Sequence, residues 1–78
     1  MERDYAPPKK RSVIIAGHQT SISLEPMFWE ALEAAARERG VPVNALVAEI
    51  DAARFDSPRP PNLTSAIRQW LFTQAQRG

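Results

Sequence analysis

The most regular feature of the chain is a short alternation. Thr20, Ile22 and Leu24 fall on one side of the run from residue 18 to 24, and Gln19, Ser21 and Ser23 on the other. A period of two is that of a half-buried strand. The pattern breaks at Glu25-Pro26, where proline suits the first turn of a helix because its missing N–H would be unpaired there anyway. From there the period becomes helical. "MFWEALEAAARERG" holds good helix formers and no β-branched residue, with Phe28, Leu32, Ala35 and Ala36 as its apolar stripe and Trp29 widening it. Gly40 is placed to end this helix in a left-handed cap.

Two more helices follow. After the tight "VPVN" connection, Val43, Leu46, Val47, Ile50 and Ala53 recur at helical spacing, so a second helix is predicted from Pro42 or Val43 through Arg54. "FDSPRPPN" reads as a loop, and Asn62 as the cap of a third helix over roughly residues 63–76, with Leu63, Ile67, Trp70 and Leu71 as its stripe. The polar stretch 1–11, with Pro7 and Pro8 ahead of Lys9, Lys10 and Arg11, is expected to be a flexible basic arm. "SVIIAG" is ambiguous. It is either a short extra strand or an extended run leading into the next segment.

This order leaves one well-defined short strand with nothing in its own pattern to pair with. The expected solution is the same strand of a second copy, antiparallel about a two-fold axis. One face would then rest Ile22 and Leu24 on the helices; the other would present Gln19, Ser21 and Ser23 twice. A two-stranded ribbon fits the major groove of B-form DNA, glutamine can pair bidentately with adenine, and serine can serve either base type.

Composition narrows the field. The 78 residues allow one small domain, which buries a modest core and gains from oligomerisation. There is no cysteine, and His18 is the one histidine, so disulfides and ordinary zinc sites are not expected, nor any other cofactor. The formal charge of +1 argues neither for nor against nucleic acid; its distribution, with cations near the start and carboxylates on the first helix, says more. No apolar run approaches a membrane span and no signal sequence is visible, so a cytoplasmic protein without membrane contact is expected. No nucleophile–base pair or glycine-rich phosphate loop points to an enzyme, and no catalytic residue is assigned.

The stretch "TSISLEPMFWEALEAAARERGVPVNALVAEI" resembles the ribbon-helix-helix family of MetJ-, Arc- and CopG-type DNA-binding domains. The wider pattern, "KRSVIIAGHQTSISLEPMFWEAL" with "NALVAEIDAAR" and "NLTSAIR", is similar to a bacterial branch with an added C-terminal helix. The resemblance implies a mostly α fold with one short strand and an intertwined homodimer around an intermolecular two-stranded antiparallel ribbon. It divides the chain into the arm at 1–11, a ribbon-helix-helix core at 12–54, and a proline-rich loop and C-terminal helix at 55–78 packed on that core. It implies a sequence-specific transcriptional regulator of double-stranded DNA, in which Gln19, Ser21 and Ser23 touch bases. Phosphates would be held by Lys9, Lys10 and Arg11 and by the start of the second helix at Val43 and Asn44. Dimers could assemble further on DNA. The alternative is a dimeric interaction module, antitoxin-like or an adaptor, that binds a partner protein through its C-terminal helix.

Overall fold

The computed structural model describes residues 5–77. Five elements follow one another: β1 (Lys9–Ile15), β2 (His18–Leu24), α1 (Pro26–Arg39), α2 (Val43–Arg54) and α3 (Leu63–Arg77). The three helices and the alternating strand stand where the periodicity puts them. The expectation of a single strand, and of a partner found only in a second copy, is corrected. β2 pairs with β1 of its own chain, antiparallel, from Ile15↔His18 at the turn to Lys9↔Leu24 at the open end. The basic stretch Lys9–Arg11 is therefore strand, not arm; residues 1–4 of the expected arm lie outside the described residues.

The hairpin closes through Ala16 and Gly17, at φ +51° and +81°. Positive φ at both central residues marks the turn whose twist matches that of paired strands. Asparagine-glycine is the usual pair for it; alanine is tolerated at a cost of roughly 1–2 kcal/mol, because its Cβ crowds the carbonyl in the left-handed region. Ala16→Asn is accordingly expected to raise stability by about 1 kcal/mol, which for a domain of this size moves Tm up by about 4–8 °C. A thermal melt that stays level or falls would mean that this turn is not strained.

All three helices bear on one face of the hairpin. Val13, Ile22 and Leu24 of that face are buried with Trp29, Leu32 and Ala36 of α1, Leu46, Val47 and Ile50 of α2, and Ala66, Ile67 and Leu71 of α3. Leu24, Leu32, Leu46, Val47 and Ile67 have no exposed surface at all, so α3 supplies part of the one core. Helix ends follow from local chemistry. Gly40 (φ +70°) and Val41 return their N–H groups to the last carbonyls of α1. Asn62 Oδ1 accepts the Ser65 N–H at 2.8 Å and caps α3. Arg54 closes the loop between α2 and α3, with Nε on Asp51 and Nη1 on the Pro61 carbonyl, both at 2.9 Å.

Candidate nucleic-acid interface

Among the described residues, no helix covers the hairpin's second face. In this register Lys10 stands opposite Ser23, Ser12 opposite Ser21 and Ile14 opposite Gln19. All six residues are exposed, while their neighbours along each strand turn toward the helices. Gln19, Ser21 and Ser23 thus share one outward surface, as expected. What the sequence did not reveal is that β1 adds three side chains beside them. The signal was available in "KKRSVIIAGHQTSISL", which alternates on both sides of Ala16-Gly17, but that turn lacks the asparagine-glycine signature and the apolar run hid the alternation.

The same register separates the three basic residues. Lys10 points outward with the serines. Arg11 faces the other way: its guanidinium meets Glu33 of α1 at 2.7 Å and lies 4.7 Å from the centre of the Trp29 ring. Lys9 stands opposite Leu24 on that same inner side, though exposed, and its carbonyl accepts the Trp29 indole N–H at 2.8 Å. Among the described residues Lys10 is the single cation of the outward face, and Arg11 fastens the hairpin to α1.

One hydrogen bond orients the backbone of the sheet. The Ile14 N–H donates to Asn44 Oδ1 at 3.2 Å, so it points away from β2. Opposed residues in antiparallel strands alternate between pairs that bond each other and pairs whose N–H and C=O groups face outward. Ile14/Gln19, Ser12/Ser21 and Lys10/Ser23 are then all of the second kind. The outer side of β1 is met by the start of α2. Among the described residues, no hydrogen bond from another element reaches the outer backbone of β2 at Gln19, Ser21 or Ser23.

The start of α2 sits beside this surface. Pro42 precedes it in an extended conformation without a side-chain cap, and its carbonyl accepts the N–H groups of Ala45 and Leu46. The Val43 and Asn44 N–H groups come first in the helix and have no intrahelical acceptor, an arrangement that suits an anion. Asn44 is exposed and Val43 half-buried. At the other end of β2, Glu25 joins the strand to α1. A hydrogen bond from its own backbone amide and another from Arg68 hold its carboxyl below the ordinary carboxylate range. Arg68 Nη2 lies 3.1 Å from Glu25 Oε1, so α3 braces the point where the sheet becomes helix.

A family model, described as a ribbon-helix-helix domain, matches residues 8–75. The chain belongs to the ribbon-helix-helix family. Comparison with curated proteins and with solved structures finds no match. Membership supports a DNA-binding regulator in general. The match covers the hairpin and α3 as well as the strand and two helices that give the family its name. In this ribbon-helix-helix domain, the strand entering the first helix is β2, and it is the strand whose outer backbone is open.

Proposed function

We propose that this chain is a sequence-specific transcriptional regulator that reads the DNA major groove as a homodimer in the cytoplasm. The observation that carries the reading is the outward face of the hairpin. It holds Gln19, Ser21 and Ser23, with Lys10 and Ser12 beside them, and no helix covers it.

Two copies would join along the open side of β2, about a two-fold axis at Ser21. Gln19, Ser21 and Ser23 would then bond to the partner strand while the intervening residues keep their bonds to β1. The sheet would have four strands in the order β1-β2-β2-β1. With neighbours about 4.8 Å apart, its outer strands stand roughly 14 Å from each other, against a major groove about 12 Å wide. The two central strands fit the groove, and the outer strands lie along its edges, within reach of the sugar–phosphate walls and of the outermost base edges. Base contact accordingly belongs to Gln19, Ser21 and Ser23. Phosphate contact belongs to Lys10 and to the Val43 and Asn44 amides, which lie on the β1 side. Lys9 sits near the open end of the same strand as a weaker backbone contact, and Arg11 is occupied by Glu33.

Gel-shift titrations of Lys10→Ala and Gln19→Ala at two salt concentrations test this reading. Lys10→Ala is expected to weaken binding to every sequence and to lower the salt slope by about one unit for each phosphate no longer neutralised. Gln19→Ala is expected to leave that slope unchanged and to lose about 1–3 kcal/mol of discrimination at an adenine position. Indistinguishable behaviour of the two variants would sink the division of roles.

A further inference from the structure

We infer that Ile14 is a specificity residue that packs on the 5-methyl group of a thymine next to the adenine held by Gln19. The inference rests on the DNA-reading role proposed above and adds a ligand feature to it. Among the described residues Ile14 is the one apolar side chain on the hairpin's outward face, 55% exposed, where the other five residues are Lys10, Ser12, Gln19, Ser21 and Ser23. Its neighbours Val13 and Ile15 turn toward the core, so the register leaves Ile14 no place in it.

The position is also held firmly. The Ile14 backbone N–H is tied to Asn44 Oδ1 at the start of α2, which fixes the strand there. A β-branched side chain has few rotamers to choose from, so its methyl groups are presented with little freedom to lose. Directly opposite stands Gln19, in the type of cross-strand pair whose side chains approach most closely, with Cβ atoms about 4.5–5.5 Å apart. An amide and a branched alkyl group are thus offered side by side. Adenine presents N7 and N6 to a bidentate amide, and the apolar feature of the major groove is the thymine methyl. The pair matches an adenine–thymine step, and Ile14 supplies what glutamine lacks: discrimination by a methyl group.

The test uses the full chain and a duplex selected from a random pool. Each thymine of the selected site is replaced in turn by deoxyuridine, which removes the methyl group and leaves base pairing intact. Wild type is expected to bind about fourfold more weakly when the critical methyl is removed, the factor for burying one such group. Ile14→Ala should bind the unmodified site more weakly by a similar factor and be indifferent to that replacement. Ile14→Val should keep most of the preference. Because the side chain is exposed, the Ile14→Ala melting temperature should match wild type.

Wild type indifferent at every thymine, or Ile14→Ala retaining the full methyl effect, would overturn the proposal. So would a change of oligomeric state in DNA-free Ile14→Ala with the methyl effect intact, which would make Ile14 a contact between copies. Selection of no sequence at all would sink the DNA-reading role itself; a selected site without methyl dependence would sink only the part given to Ile14.

Discussion

Trp29→Ala is expected to remove about 3–5 kcal/mol of stability, the usual cost of truncating a buried aromatic residue. For a domain whose total stability lies in the range of about 5–15 kcal/mol, that is enough to leave a large unfolded fraction at moderate urea. The size of the effect comes from three roles in one side chain. The ring is 1% exposed, in the middle of the core. Its N–H is bonded to the Lys9 carbonyl at 2.8 Å. Its face carries the Arg11 guanidinium at 4.7 Å, and that guanidinium also pairs with Glu33. The indole therefore joins β1 to α1. Trp29→Phe keeps most of the packing and loses the N–H, so it should cost about 1–3 kcal/mol, the penalty for an abandoned hydrogen-bond partner. Urea denaturation of both variants, followed by circular dichroism, measures the two contributions. A loss below about 1 kcal/mol for Trp29→Ala, well under the usual range, would show that the hairpin is not anchored through this residue.

Ser21→Pro is expected to abolish the dimer and to weaken DNA binding by about 100-fold or more, while the monomer stays folded. If the proposed two-fold lies at Ser21, its N–H faces the partner strand, and proline removes that donor. The same N–H points away from β1, because the Ser12/Ser21 pair has the phase set by Ile14 and Asn44. Proline is compatible with the outer side of an edge strand, so the hairpin itself should survive. The loss of affinity is large because two linked half-sites gain about 10²–10⁴ in avidity over separate ones. Ser21→Ala is the control for the hydroxyl: it should remain dimeric and give up only what that side chain touches. Sedimentation of both variants decides the matter. A Ser21→Pro protein that still sediments as a dimer would place the interface elsewhere and remove the four-stranded arrangement.

Much of this molecule could be read along the chain. The alternation ending at Leu24, the proline that opens α1, Gly40, the Asn62 cap and the three apolar stripes are all local signals, each spanning a few residues and governed by local backbone chemistry. The family pattern is built from the same signals. The outward placement of Gln19, Ser21 and Ser23 also follows from alternation, since a strand with one buried face has no other choice. Whether "SVIIAG" pairs with its neighbour was not decided at that level. A β-branched run is compatible with several extended states, and Ala16 is a poor residue for the turn that joins the strands. What settles it is burial: pairing lets Val13 enter the core beside Ile22 and gives Trp29 a carbonyl to bond.

The sequence by itself determined the order and ends of the helices, the strand that enters the first of them and the family. Only the tertiary structure decided that β2 already has a partner in its own chain, that of the three consecutive cations Lys10 faces outward while Arg11 locks onto Glu33, and that Ile14 joins Gln19 on the exposed face. The physical reason is that strand register is a non-local quantity. Shifting a pairing by one residue turns every side chain to the opposite face, and the choice is made by what the helices can bury, not by the strand's own residues.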